Sequence, residues 1–436
     1  MKNIRVIREK ILSDVRLYTQ HMHVQGKFVS GETYVPPSGP VFDSEEITAL
    51  VDSALNFWFT ADKNNDEFER KLQEFINIKF VLTTNSGSSA SLLSVAALSS
   101  DSLGDRALKP GDEVITVAAG FPTTVNPLLI YGLVPVFVDI QLPTYNIQTE
   151  ALEEAITEKT KAIMLAHTLG NPFDLEEITR LAEKYNLWLI EDCCDALGST
   201  YKNKNVGTFG DISTFSFFPA HHITTGEGGA VATGDGTLKR NLEKIRGWGR
   251  DCFCKAGQDN SCGKRFDWKF DGLPYGYDHK YVFTELGFNL KITDLQAALG
   301  IKQMDKVLDF IIKRKANFQY LKESLFELEK FFILPESTRN SDPSWFGFPL
   351  TIREGAPFTR RDLLTYLSDN KVGTRLLFGG NLTKQPYFKN RSFRVFEELT
   401  NTDLVMNNAF WLGIFPGITN EMLDYVSDII FKFVKK

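Results

Sequence analysis

Ser216-Phe217-Phe218-Pro219-Ala220-His221-His222-Ile223-Thr224-Thr225-Gly226-Glu227-Gly228-Gly229 decides how this chain is read. The stretch has the pattern of a strand end, a turn and a glycine-rich return into another strand. Two histidines stand at its centre, and no lysine occurs between Lys204 and Lys239. An imidazole cannot form a Schiff base, so His221 cannot tether a carbonyl cofactor. It can carry a proton near neutral pH.

On either side, short β-rich runs alternate with helical patterns through the first 330 residues. That alternation predicts a mostly parallel sheet covered on both faces. The expected strands are Phe80–Thr84, Glu113–Val117, Val134–Asp139, Ala162–His167, Trp188–Asp192, Thr214–Phe218 and Gly229–Ala232. Helical patterns cover Ser88–Leu98, Asn146–Ala155, Leu175–Lys184 and Thr237–Arg246. Arg250–Asp278 has no period and is rich in Gly, Asp, Lys and Cys, which predicts a long irregular excursion with a function. One long helix is expected from Thr293 to about Leu328, leading into a smaller domain with a strand at Phe348–Ile352 and a helix at Arg360–Asn370. The expected division is a large domain over 1–300, interrupted at about 250–278, and a small C-terminal α+β domain over 301–436.

The 436 residues are 43% hydrophobic and 24% charged, with a net charge of −6. Such a balance suits an ordinary globular enzyme and gives no reason to expect nucleic acid or an anionic membrane as partner. Residues 1–20 read as an amphipathic helix bearing Arg5, Arg8, Lys10 and Arg16, with no signal-peptide core. The longest apolar stretch, around Val125–Val138, is broken by Asn126, Pro127 and Pro135, short of the roughly 18 residues a membrane span needs. A cytoplasmic location is expected.

Five cysteines in such a chain do not form a disulfide scaffold. Cys194, Cys252, Cys254 and Cys262 are spaced C-x57-C-x-C-x7-C, with three of them inside eleven residues of a polar loop. Four thiolates suit a [2Fe–2S] cluster or a structural zinc. Zinc commonly takes C-x₂₋₄-C pairs, so the C-x-C spacing leans towards iron–sulfur. Cys194 follows Asp192 by two residues, about 7 Å along an extended chain. Cys193 is expected to point the other way. His222 and the pair His21 and His23 read as surface or turn residues, and His167 as one candidate for the pocket wall.

Several motifs, in order, resemble the DegT/DnrJ/EryC1 sugar aminotransferases. They are Ser86-Gly87-Ser88 after a strand, Gly120-Phe121-Pro122, Glu191-Asp192 followed by Ala196, the Ser216–Gly229 stretch and Gly287-Phe288-Asn289. The resemblance runs from about Pro36 to Gly373-Thr374-Arg375. It implies a pyridoxal phosphate (PLP)-dependent transferase type I fold, like that of aspartate aminotransferase. It implies a phosphate held by Ser86, Gly87, Ser88 and Ser216, a ring covered by Phe121, a ring nitrogen paired to Asp192, and Asn289 reaching the phosphate across a homodimer interface. His221 occupies the position of the family's cofactor lysine. Asp195 and Phe218 stand where relatives commonly have histidine, and with Phe346 they are expected to wall the sugar pocket.

The histidine together with the cysteine spacing resembles one branch of that family, the iron–sulfur 3-dehydrases of nucleotide-linked sugars. That branch implies non-covalent pyridoxamine phosphate (PMP), a [2Fe–2S] cluster, a CDP-4-keto-6-deoxyglucose-type substrate and an NADH-dependent flavin/iron–sulfur reductase as partner. Competing readings are a PMP dehydrase that needs no external electrons, a plain aminotransferase, and a non-catalytic scaffold with a zinc-pinned loop.

Overall fold

The computed structural model describes residues 2–22, 26–150, 152–255 and 257–435. Its centre is an eight-stranded sheet of β1 (Phe80–Thr84), β2 (Glu113–Val117), β3 (Val134–Val138), β4 (Thr160–Ala166), β5 (Trp188–Asp192), β6 (Ile212–Ser216), β7 (Gly229–Thr233) and β8 (Arg394–Val395). They lie in the order β1-β7-β6-β5-β4-β2-β3-β8. Only β7 runs against its neighbours; every other pairing is parallel. The parallel strands are buried along nearly their whole length, which is why they read as continuous apolar runs rather than alternating ones. This is the type I fold that the sequence predicted.

The carboxyl ends of β2, β4, β5 and β6 and the helix after β1 all open on one side of the sheet. That is the edge where parallel α/β sheets bind ligands. A second core packs around a four-stranded sheet of Phe332–Ile333, Gly347–Ile352, Ala409–Gly413 and Thr374–Arg375, with the helices Arg360–Asp369 and Asn420–Val434. The C-terminal part also returns to the large sheet, since β8 pairs with β3.

Two helical expectations need correction. Asn146–Ala155 is not one helix. Asn146–Ile147 forms a hairpin with Ile140–Gln141, and only Leu152–Ala155 is helical. The Asn146 amide donates to the carbonyls of Asn171 and Pro172 and to the Thr338 hydroxyl, a tertiary anchor that overrides local preference. The long C-terminal helix is divided into Asp294–Met304 and Val307–Ser324. Gln303 and Lys306, at the break, are both tied to Glu46.

Among the described residues, no helix is long and apolar enough to cross a membrane. The N-terminal helix, Lys2–Met22, forms as expected.

Candidate active site

Asp192 ends β5 and is 4% exposed. Thr124 Oγ1 donates to its Oδ2 at 2.7 Å, the Cys194 N–H to its Oδ1 at 3.1 Å, and Thr214 Oγ1 to the same oxygen at 3.4 Å. These three donors fix the position of the carboxylate oxygens. Thr124 and Thr214 were not singled out from sequence, because a threonine in a helix or strand carries no signal of its partner.

The helix Gly87–Leu98 begins on the same side, capped by Ser86, whose hydroxyl accepts the Ser89 N–H at 3.1 Å. A Cβ at Gly87 would lie 2.5 Å from Ser216 Cβ and 2.8 Å from its Oγ. Glycine is therefore required where the helix N-terminus meets β6. The exposed Ser88, the bare N–H groups and Ser216 together make a concave, positively polarised end that suits a phosphate. Phe121, at the N-terminus of the helix Pro122–Ile130, is half-exposed and packs edge-on to Phe378. It is free to cover a ring bound above Asp192. A buried carboxyl acceptor, a phosphate-sized helix end and an open aromatic plate fit pyridoxamine phosphate. Asn289 is exposed, and the neighbouring Leu290 carbonyl accepts the Asn85 N–H at 2.8 Å, beside the same helix end.

His221 sits on the turn after β6. Its Nδ1 lies 3.4 Å from Asp195 Oδ1, with both side chains about 15% exposed. Its ring stacks on Phe346 (centroids 5.2 Å apart, 28° between planes) and meets Phe218 edge-on at 6.4 Å. Burial pushes His221 down to about 4, and the Arg314 cation adds to the shift. Burial, with the charge of Asp192, pushes Asp195 up to about 8. Near neutral pH Asp195 therefore keeps its proton and His221 presents an uncharged imidazole, the form that accepts a proton, with its Nδ1 buried and without a hydrogen-bond partner.

Arg314 is 1% exposed and donates to the carbonyls of Trp345, Phe346 and His221, tying the histidine turn to the wall that carries Phe346. A Cβ at Gly170 (φ +89°) would lie 2.3 Å from the Ser344 carbonyl oxygen and 2.8 Å from that of Asp195. The same wall thus closes on the Asp195 turn.

Other histidines fall elsewhere. His167 is fully buried beneath the site, 3.1 Å from Glu191 and stacked on Phe173, so it does not wall the pocket. Glu191 also accepts the N–H groups of Gly207, Phe209 and Gly210. His222 is buried, not a surface turn residue, with Nε2 on the Ser344 carbonyl. His21 is exposed, and His23 lies outside the described residues.

Cys252, Cys254 and Cys262 line one small cavity together with Asp259, Asn260, Arg265, His279 and Lys280. Burial and the neighbouring Cys254 and Cys262 push Cys252 up. Cys194 is not part of that described lining. It stands beside Asp192, and burial with the Asp192 charge pushes its thiol well up. Cys193 is fully buried on the other side, near Glu191 and His167. Among the described residues, only His167, Glu191 and Cys193 bring donor atoms all within 4.8 Å of one another. So the chain gathers three of the four expected cysteine ligands and leaves the fourth at the cofactor end.

A model of the DegT/DnrJ/EryC1/StrS aminotransferase family matches residues 40–431. The chain is 58% identical to the lipopolysaccharide biosynthesis protein RfbH of Salmonella typhimurium, over 96% of each chain. It is 50% identical to a dTDP-4-dehydro-2,6-dideoxy-D-glucose 3-dehydratase of Saccharopolyspora spinosa, over 98% of this chain and 92% of that one. A solved GDP-4-keto-6-deoxymannose-3-dehydratase with bound GDP-perosamine superposes with a TM-score of 0.82 at 30% identity, covering 91% of this chain and 100% of the other.

Proposed function

The chain belongs to the DegT/DnrJ/EryC1/StrS aminotransferase family, and we propose that it is a PMP-dependent, iron–sulfur 3-dehydrase of a CDP-linked 4-keto-6-deoxyhexose. The reaction is that of a CDP-6-deoxy-L-threo-D-glycero-4-hexulose 3-dehydrase, on the way to the 3,6-dideoxysugars of lipopolysaccharide O-antigen. The observation that carries this reading is a buried imidazole, stacked on Phe346 and 3.4 Å from Asp195, where the family places a lysine.

Ser86, Gly87, Ser88 and Ser216 hold the phosphate, Phe121 covers the ring, and Asp192 takes the ring nitrogen. Bound there, PMP supplies an amine that engages the 4-keto carbon and a ring that takes up electrons. His221 removes a proton at the cofactor C4′ carbon and returns one to the departing C3 hydroxyl, which leaves as water. Asp195 holds the imidazole and shares its proton. Phe218 and Phe346 wall the sugar side and keep water from the reacting carbons.

Replacing the C3 hydroxyl by hydrogen needs two further electrons. Cys194, Cys252, Cys254 and Cys262 would hold a [2Fe–2S] cluster, which would pass these electrons one at a time from a separate NADH-dependent flavin/iron–sulfur reductase, with the matching protons taken from solvent. In a homodimer, Asn289 of one subunit reaches the phosphate of the other. The same proposal includes a cytoplasmic location and a division into a large domain over 1–300 and a small one over 301–436.

A second reading, a PMP-dependent dehydrase or aminotransferase of another nucleotide-linked keto-deoxysugar without electron transfer, is favoured by the likeness to the solved GDP-4-keto-6-deoxymannose-3-dehydratase, with a TM-score of 0.82. The test is an anaerobic spectrum of the PMP-loaded protein with CDP-4-keto-6-deoxyglucose. Visible iron–sulfur absorption and turnover that stops without reductase support the first reading. Stoichiometric glutamate consumption without iron supports the second.

A further inference from the structure

His221 and Phe346, the ring it stacks on, belong to separate parts of the chain, and two side chains join them. The Arg314 guanidinium comes from the helix Val307–Ser324. It donates through Nη1 to the carbonyls of Trp345 (3.3 Å) and Phe346 (3.1 Å), and through Nη2 to that of His221 (3.2 Å). His222 is 3% exposed, and its Nε2 lies 2.8 Å from the carbonyl oxygen of Ser344, two residues before Phe346. Burial and the Arg314 charge hold this imidazole neutral. A carbonyl only accepts, so Nε2 carries the ring proton and Nδ1 is left as an acceptor.

Three buried atoms in this corner have no hydrogen-bond partner: His221 Nδ1, His222 Nδ1 and Arg314 Nε. All three residues line one small cavity, together with Thr224, Gln303 and Phe310. About 10 Å³ of it is open to the centre of a water molecule, which is room for one. Buried polar atoms are nearly always satisfied, so three orphans around one cavity need a reason. Arg314 Nε is a donor and His222 Nδ1 an acceptor. One water answers both, accepting from the arginine and donating to the imidazole. An anion would suit the arginine and be repelled by the lone pair on His222.

We infer that Arg314 and His222 are positioning residues for His221: with one buried water shared between Arg314 Nε and His222 Nδ1, they lock the histidine turn to the wall that carries Phe346. The inference rests on the assignment of His221 as the base and adds the device that aims it. Neither the turn after Ser216 nor the segment Ser344–Phe346 belongs to a strand, so backbone pairing does not align them. The guanidinium fork and the second imidazole do so instead. Alignment matters because a reacting group misplaced by about 1 Å can lose roughly 10²-fold in rate.

The first test needs neither PMP nor sugar. A high-resolution crystal structure of the full chain should show one water within about 2.7–3.2 Å of both Arg314 Nε and His222 Nδ1. In Arg314→Met that water should be gone and the His221 ring turned away from Phe346 or spread over several positions. An anion or nothing at the shared point in the native chain, or an unmoved ring in the variant, overturns the assignment. Should the variant fail to fold, ¹⁵N NMR of the native histidines decides. His222 should carry its proton on Nε2, and a proton on Nδ1 refutes the shared water.

The second test is kinetic. Arg314→Met and His222→Phe should each lower kcat for C3 dehydration by about 10–100-fold, with KM within about twofold of the native value. A raised KM with kcat unchanged marks a role in binding sugar and sinks the positioning role. If the native chain dehydrates no sugar, the base assignment fails, while the water and the ring position are still read from the crystal.

Discussion

At the cofactor end of the sheet, Asp192 is the last residue of a strand paired on both sides, and three donors fix its carboxylate. In the cysteine loop, Cys252, Cys254 and Cys262 stand on a segment without regular structure among the described residues. Its ties to the rest of the chain include ion pairs such as Lys255–Asp66 and the His279–Asp251 contact. The two regions hold their chemistry by different means. The first is organised by folding itself, through backbone pairing and burial. The second lines a small cavity with three thiols and is held by side-chain ties rather than by backbone pairing. A site of the first kind tolerates loss of its ligand, whereas one of the second kind is completed by it.

The largest expected effect lies in the preorganised region. His221→Asn should lower C3 dehydration by roughly 10²–10⁴-fold while PMP affinity stays unchanged. Single-turnover kinetics with equilibrium dialysis measures both, and retained C3–OH cleavage would break the base assignment.

The stability contrast comes next. Glu191→Ala strands three N–H groups, one of them buried, and the buried His167, and should cost about 3–5 kcal/mol in chemical denaturation. Cys252→Ser in the metal-free protein should stay within about 0.5 kcal/mol. Equal costs would erase the distinction between the two regions.

Gly87→Ala drives a methyl group into Ser216. It should cost about 1–3 kcal/mol of stability and weaken PMP binding by roughly tenfold, equivalent to about 1.4 kcal/mol, as read by cofactor fluorescence.

A further effect is pH-dependent. In the folded chain Asp195 sits at about 8, above the ordinary 3.8, so the native state loses stability as pH rises from about 4 towards 8. Asp195→Asn removes that loss. Its melting temperature should match the native chain near pH 4 and exceed it by a few °C near pH 8.

Much of this was legible in the residues. Phe80–Thr84, Glu113–Val117 and Trp188–Asp192 have the bounds their apolar runs predict. Gly87 announced a close approach, and Ser216 is what it approaches. Asn146 was misread because its amide bonds are long-range and leave no trace in local periodicity. The place of His167 is equally silent in local periodicity, since Glu191, its partner, lies on the neighbouring strand. Arg314 is silent in sequence too. A lone arginine on a helix reads as surface charge, yet this one is buried under the His221 turn. The part of the site carried by short motifs was readable, and the part carried by partners distant in the chain was not.

The central claim is an unattached cofactor beside an imidazole, and one measurement addresses it directly. The protein is saturated with one equivalent of PLP, reduced with borohydride, digested and examined by mass spectrometry. No peptide around residues 204–239 or elsewhere in the site should carry a pyridoxyl group, and the cofactor should leave on denaturation. A stoichiometric pyridoxyl-lysine at a single position would contradict the account.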